Sequence, residues 1–281
     1  MSGAPLTLGE VVGRTAAYFA TAGSASPRLD ADLVVAHALG LERLEVYTQF
    51  DRPLRADELA AARELVARRG RREPVAYILG RRGFRRIELE VGPAVLVPRP
   101  ETEVLVEWVI EVAPEGAALL DWGTGSGAIA LALADERPDL TITGIDASAA
   151  ALAVAAANGT RLGLAVEWLA SDGFAALTGR RFGVIAANPP YLSEAEFADA
   201  PPELGYEPRQ ALVGGPRGDE VIAGIAAAAP AHLAANGVLV MEIGGGQAAA
   251  AVAALEAHGF VDIAVRSDLA GIDRTVFARR G

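Results

Sequence analysis

Residues 117–136 read AALLDWGTGSGAIALALADE, an apolar run interrupted by glycines at alternate positions and followed at once by an apolar helical pattern. Few architectures accept such a stretch. Gly123, Gly125 and Gly127 offer no side chain to pack and free the backbone for positive φ, so a buried strand must end near Trp122. A strand, a tight turn and a helix in so short a span open a βαβ unit, which obliges the rest of the chain to supply parallel neighbours.

The runs TITGID, AVEWLA, FGVIAA, GVLVMEI and RTVFAR are short and apolar, and several of the stretches between them are long enough for crossover helices. They predict an α/β fold with a doubly wound, mainly parallel sheet. Ahead of it, Thr7 and Glu10 have capping-box spacing and Ser26-Pro27 reads as an N-cap followed by a first-turn proline. ADELAAARELVARRG places Gly70 where a glycine closes a helix. A small helical domain over residues 1–80 follows. Between the two parts, FRRIELEVGPAVLV alternates and carries Gly92-Pro93 as a turn, predicting a connecting β-hairpin over 81–98 and leaving 99–281 for the α/β domain.

Composition narrows the chemistry. The chain has no cysteine, which excludes disulfides, thiolate nucleophiles and cysteine zinc sites. Its three histidines, His37, His232 and His258, are scattered through Ala- and Leu-rich helical patterns and read as packing residues, so no metal is expected. The alanine-rich stretch from Val221 to Ile243 is broken by Pro230, His232, Asn236 and Gly237, and no charged-then-apolar leader is present. These features predict a soluble, cytoplasmic protein without a membrane partner. Every one of the 25 basic residues is arginine; residues 1–100 carry 15 of them against 12 acids, and residues 101–281 carry 10 against 24. An acidic second half repels a polyanion, so direct DNA binding is not expected. The arginines from Arg68 to Arg86 read as a solvated helix end and hairpin face, with an acidic protein or ribosomal RNA as the alternative partner.

The ligand is suggested by four strand ends. The loop is G-x-G-x-G, not the G-x-G-x-x-G of dinucleotide binders, and Asp121 before it suits a ligand carrying an ammonium or sulfonium cation. Asp146 ends the next strand, where a carboxylate can accept hydrogen bonds from both ribose hydroxyls of a nucleoside. Asp172 follows the third strand, in SDGF. The fourth stops on Asn188-Pro189-Pro190-Tyr191, whose prolines supply no N–H, fix φ and push their predecessors out of the α region.

Together these motifs resemble a class I (Rossmann-like) S-adenosylmethionine-dependent methyltransferase acting on a planar nitrogen. REPVAYILG, LVPRPETE, LDWGTGSGAIALALA, NPPY, YEPRQAL, MEIGGGQ and DLAGIDRTVFAR more closely resemble the HemK/PrmC protein-(glutamine-N5) methyltransferases, from about Glu73 to the C-terminus. The helical N-terminal part matches that family in length and type more than in sequence.

The resemblance implies S-adenosyl-L-methionine as cofactor, left as S-adenosyl-L-homocysteine, and the glutamine of the Gly-Gly-Gln motif of class I peptide chain release factors as methyl acceptor. It implies a monomer that docks the factor through its helical domain. Gly123, Thr124, Gly125, Ser126 and Gly127 are expected around the methionine end of the cofactor, Asp146 on its ribose, Asp172 and Gly173 at its adenine. Gly173 stands where relatives carry a bulky aromatic, so a stacking contact on the adenine is either missing or supplied by Phe174. Asn188 is expected to touch both cofactor and substrate. Its side-chain oxygen and the Pro189 carbonyl would accept hydrogen bonds from the substrate NH2. Tyr191, the third catalytic residue, would pack its ring on the flat amide while its hydroxyl finds a partner, and Pro190 would border the substrate. Pro98, Arg99, Glu101 and Thr102 either help close the site or merely start a helix. Glu242 faces either the pocket or solvent and is not counted among the site residues. The rival readings are a ribosomal-protein glutamine methyltransferase, a nucleic-acid methyltransferase acting on adenine N6 or guanine N2, and a non-enzymatic cofactor-binding scaffold.

Overall fold

The structure is a computed structural model and describes residues 5–281. The chain divides into two units, one comprising the chain up to Gly80 together with Pro201–Tyr206, the other Arg81–Ala200 and Glu207–Gly281.

The first unit is helical: α1 (Leu8–Thr21), α2 (Pro27–Ala38), α3 (Arg43–Thr48), α4 (Ala56–Gly70) and α5 (Val75–Leu79). Its core is built from Leu8, Val12, Phe19, Val34 and Val35, all fully buried. The Thr7 hydroxyl accepts from Glu10 N at 3.3 Å and the Glu10 carboxylate accepts from Thr7 N at 2.8 Å, which closes the capping box. Pro27 opens α2, but the Ser26 side chain makes no cap bond. Gly70 is not the left-handed cap of α4; Arg72 takes that conformation, at φ 71°. A Cβ at Gly70 would lie 2.3 Å from the Tyr18 hydroxyl, so the glycine serves the close approach of α1.

Of the arginines at this end of the unit, Arg71 is exposed, as a solvated helix end requires, whereas Arg68, Arg69 and Arg72 are paired. Arg69 is 6% exposed and donates to Asp30 and to Glu203. Arg72 makes a two-pronged contact with the same Glu203, and Arg68 pairs with Glu73. The charges of these three are matched by carboxylates and contribute little long-range attraction for a polyanion.

The larger unit opens with a hairpin of β1 (Arg81–Phe84) and β2 (Ile87–Glu90), which turns at Arg85-Arg86. The expected turn at Gly92-Pro93 falls beyond the second strand. Arg85 can hold φ 50° because its N–H donates to Glu103 and its guanidinium pairs with Glu136, contacts that local turn chemistry does not reveal. Next come α6 (Thr102–Val112), β3 (Ala118–Trp122), α7 (Ala128–Glu136), β4 (Thr141–Asp146), α8 (Ala149–Leu162), β5 (Glu167–Ala170) and β6 (Phe182–Ala187). They are followed by β7 (Leu192–Ser193), α9 (Glu194–Ala198), β8 (Val213–Gly215), α10 (Glu220–His232), β9 (Leu233–Glu242), α11 (Ala248–Ala257), β10 (Phe260–Ser267) and β11 (Asp273–Arg280).

Seven strands form one sheet in the order β10-β11-β9-β6-β3-β4-β5. From β9 to β5 all pairings are parallel, and β11 is antiparallel to both its neighbours. The strand β10 has no counterpart among the apolar runs; it is an edge strand with a mostly exposed side-chain pattern. The chain moves outward from β3 through β4 to β5 and returns to β6 on the other side of β3, so the topological switch point lies between β3 and β6, where such sheets bind ligands. The pairings Trp122↔Ile145, Trp122↔Ala187 and Ala187↔Met241 align the strand ends. The next residues, Gly123, Asp146, Asn188 and Glu242, therefore stand in one row at the sheet's carboxyl edge. Among the described residues no helix is long and apolar enough to cross a membrane.

Candidate active site

A cleft of about 430 Å³ opens above that row, within the size range of small-molecule sites. Gly123, Gly125, Asp146, Asp172, Gly173, Asn188 and Pro190 line it, together with Trp122, Leu96 and Gln210, which the sequence did not single out.

The glycine loop shows why its residue types are needed. Gly123, Gly125 and Gly127 have φ of 72°, 56° and 84°, values that cost a side-chain-bearing residue strain. Thr124 and Ser126, between the loop glycines, are not among the residues that line the cleft. Both are buried: the Thr124 hydroxyl donates to Asp121 at 2.6 Å, and the Ser126 carbonyl accepts from Asn158. Gly127 also lies back from the cleft, capping α7; a Cβ there would meet Leu131 at 2.9 Å and Trp168 at 3.1 Å. These three shape the loop while Gly123 and Gly125 present it.

Asp121 is likewise not a cleft residue. It is fully buried beneath the loop, accepts from Thr124 and from Ala130 N, and keeps one oxygen without a partner. Desolvation pushes its carboxyl up to about 7, partly offset by those hydrogen bonds. Asp146 faces the cleft and accepts from Gly125 N at 2.9 Å and Ser148 N at 2.8 Å, one bond on each oxygen. A carboxylate has about four acceptor sites, so it retains capacity for two hydroxyls. Phe174 does not stack in the cleft: its ring lies flat against His232, with centroids 4.8 Å apart.

Asn188-Pro189-Pro190-Tyr191 is pinned from several directions. Asn188 Nδ2 donates to Thr102 Oγ1 at 3.0 Å, the Tyr191 carbonyl accepts from Gln247 at 2.8 Å, and Leu192 N donates to Leu212 O at 2.9 Å. The side chain of Asn188 is thus held by its nitrogen end, leaving its oxygen as the acceptor end. Pro189 is buried, and the residues on either side of it, Asn188 and Pro190, line the cleft. Tyr191 stands back from it, its hydroxyl donating to Glu242 at 3.4 Å. Burial, with Glu242 beside it, raises the Tyr191 hydroxyl well above the usual phenol range.

Glu242 is not solvated but 1% exposed. Desolvation raises its carboxyl to about 7, against the Thr102 and Tyr191 hydrogen bonds and the Arg274 charge. Of the helix-entry residues, Thr102 meets Asn188, and Arg99 pairs with the buried Glu207, which also accepts from Val97 N. The sequence signal for Glu242 is its position, the last residue of the strand that pairs with β6.

Two carboxyls raised this far bind protons in the folded state that the unfolded chain releases near its ordinary carboxylate range. Their contribution to stability is therefore fully present below that range and lost as pH rises toward 7. Unfolding free energy from urea titration is expected to fall between about pH 5 and pH 8, by on the order of 2 kcal/mol from each group. A free energy that is level or rising over that interval would contradict the buried placement of both.

A parallel sheet with one reversed strand near its edge, a glycine loop at the switch point and an acid ending the next strand define a class I methyltransferase. A methyltransferase from Pyrococcus furiosus has this fold, with a TM-score of 0.55 at 18% identity over 69% of this chain and 88% of that one. Release factor glutamine methyltransferases of Geobacter sulfurreducens and Rhodospirillum rubrum are 42% and 41% identical to this chain, each over 98% of it and over 97% and 86% of their own lengths. The chain belongs to the release factor glutamine methyltransferase family. Family models for the PrmC N-terminal domain and the methyltransferase small domain match residues 10–80 and 100–204.

Proposed function

We propose that the protein transfers a methyl group from S-adenosylmethionine to the side-chain nitrogen of the glutamine in the Gly-Gly-Gln motif of peptide chain release factors, acting as a cytoplasmic monomer. The observation that carries this reading is Asn188 at the cleft, held by its amide nitrogen so that an acceptor oxygen is left for a donor such as NH2.

The cleft suits the cofactor. Gly123 and Gly125 expose backbone where a Cβ would meet nothing within 4 Å, the Asp146 carboxylate has acceptor capacity for ribose hydroxyls, and Asp172 lines the same cleft. Gly173 lies beside Asp172 at the adenine end. The cofactor supplies an electrophilic methyl that already carries the positive charge of a sulfonium, so no strong base is needed before transfer.

What the protein must supply is orientation. An amide nitrogen is a poor nucleophile because its lone pair is delocalised into the carbonyl. Asn188 Oδ1 and the Pro189 carbonyl, accepting one hydrogen bond each from the NH2, fix its plane and favour the charge that develops on nitrogen. Pro189 and Pro190 keep those acceptors from swinging away. Pro190 borders the amide, and Tyr191 supports the tetrapeptide from behind. The helical unit serves as the docking surface for the body of the release factor.

Incubation with labelled S-adenosylmethionine and, separately, a class I release factor, a ribosomal protein and DNA distinguishes the substrate classes. Label is expected on the release factor, at the glutamine of Gly-Gly-Gln. Label on DNA alone would overturn the reading.

A further inference from the structure

Residues 245–247 of this chain read Gly-Gly-Gln, the tripeptide that the proposed substrate presents. Gln247 immediately precedes α11, and both ends of its side-chain amide are engaged. Oε1 accepts from Gly244 N at 2.8 Å, and Nε2 donates to the Tyr191 carbonyl at 2.8 Å. The Gln247 N–H donates to the Gly244 carbonyl at 3.0 Å, so backbone and side chain close on that one glycine. A Cβ at Gly244 would lie 2.8 Å from Gln247 Oε1 and 3.2 Å from Tyr191 Cδ2, which is why a glycine stands where the two side chains meet.

The tie from Gln247 falls on a particular peptide unit. Pro189 and Pro190 have no N–H, so neither is held by a backbone donor of its own. The Tyr191–Leu192 peptide that follows is held at both polar groups: its carbonyl accepts from Gln247, and its N–H donates to Leu212 O at 2.9 Å. Gly218 closes on the same carbonyl, since a Cβ there would stand 2.5 Å from the Tyr191 oxygen. The Gln247 amide fits in one orientation. Gly244 N can only donate, which calls for the amide oxygen, and the Tyr191 carbonyl can only accept, which calls for the amide nitrogen.

We infer that Gln247 is a positioning residue for methyl transfer: by fixing the Tyr191–Leu192 peptide it holds the Pro189 carbonyl and Asn188 where they orient the substrate amide. This rests on the reading of Asn188 and Pro189 as acceptors for the substrate NH2. The prolines transmit the constraint because their own φ angles are fixed, so a peptide plane that cannot rotate after them leaves little freedom before them. Gln247 acts through Tyr191 and not on the substrate.

Gln247→Glu turns this requirement into a pH dependence. When protonated, the new carboxyl has an O–H to donate to the Tyr191 carbonyl and an oxygen to accept from Gly244 N, as the amide does. Once ionised it can only accept, and it sets an anionic oxygen against the Tyr191 carbonyl. Facing that oxygen, it ionises above the ordinary glutamate value of about 4.3. The charged groups around it are Arg274, whose guanidinium lies 3.8 Å from a Cβ at Gly245 and pairs with Asp268, Glu242, which accepts from Tyr191, and Glu220, which accepts from Gly218 N. Wild type has the same groups, so the ratio of variant to wild-type kcat isolates the new carboxyl. That ratio is expected to be near one at the acid end and to fall by about 10²-fold as pH rises, the cost of misplaced acceptors.

Turnover of a class I release factor is measured from about pH 5 to 8 for wild type, Gln247→Glu and Gly244→Ala, with S-adenosylhomocysteine affinity from calorimetry at each pH. Gly244→Ala displaces the Gln247 amide at every pH, so low kcat without recovery at the acid end is expected. Cofactor affinity is expected to stay at the wild-type value in both variants, which separates misplaced acceptors from a collapsed site. Should Gly244→Ala fail to fold, the Gln247→Glu profile still decides. A Gln247→Glu ratio that is level across the range, or a cofactor affinity that falls in step with kcat, would overturn the inference. Label from S-adenosylmethionine on Gln247 itself would overturn it too, because an amide held at the Tyr191 carbonyl does not reach the cofactor. The underlying reading fails separately: Asn188→Ala with normal turnover removes the amide acceptor, whereas an inactive Asn188→Ala beside a Gln247→Glu fully active at every pH removes only the role of Gln247.

Discussion

Asn188→Ala is expected to bind S-adenosylmethionine nearly as well as the unaltered protein and to lose methyl transfer by about 10²- to 10³-fold. The size follows from what the truncation removes. The substrate nitrogen gains its positive character only as the new bond forms, so an acceptor aimed at its N–H groups is worth more in the transition state than before it. The substitution also leaves Thr102 without its amide donor, while the backbone stop made by Pro189 and Pro190 and the tie from Gln247 to the Tyr191 carbonyl stay in place. Cofactor affinity therefore separates a lost acceptor from a collapsed loop. Single-turnover kinetics together with calorimetry of cofactor binding check it. Unchanged turnover would remove Asn188 from the chemistry, and equal losses in both measurements would point to a structural role alone.

Asp146→Ala is expected to weaken S-adenosylmethionine binding by about 10²-fold. Two effects combine. Hydrogen bonds to a charged group contribute about 1.5–3 kcal/mol each, and the ribose hydroxyls would lose such an acceptor. The same carboxylate also accepts from Gly125 N and Ser148 N, so its removal loosens the glycine loop and the entry to α8. Asp146→Asn, which keeps an acceptor oxygen but not the charge, is expected to fall between the two. Calorimetry with S-adenosylhomocysteine gives both values. An affinity unaltered in Asp146→Ala would place the ribose elsewhere in the cleft.

The parts of the fold legible in the sequence are those with a local backbone cause. Glycines at alternate positions require positive φ, and successive prolines end a strand wherever they occur, so the loop after β3 and the stop after β6 could be placed from the sequence. Their adjacency followed from the strand-and-helix alternation, which predicts a parallel sheet. The residues that escaped are placed by partners far away in the chain. Arg85 turns the hairpin because Glu136 and Glu103 hold it, and Gly70 is required by Tyr18. Glu203 belongs with the helical unit because Arg69 and Arg72 bind it.

The site divides along the same line. Thr124, Ser126 and Gly127 share a motif with the cleft glycines, yet the turn aims them inward, where Asp121, Asn158 and Trp168 meet them. Glu242 resembled any acid at a strand end. Its burial depends on the register of β9 between β6 and β11, which no short window of sequence contains.

The central claim is that Asn188 and Pro189 hold a glutamine amide in front of the cofactor. A crystal structure of the protein with S-adenosylhomocysteine and a Gly-Gly-Gln peptide tests it most directly. The account predicts the glutamine side-chain nitrogen within hydrogen-bond distance of both Asn188 Oδ1 and the Pro189 carbonyl, with the cofactor sulfur on the open side of that nitrogen. A glutamine amide bound by other groups, or an Asn188 side chain presenting its nitrogen to the peptide, would contradict it.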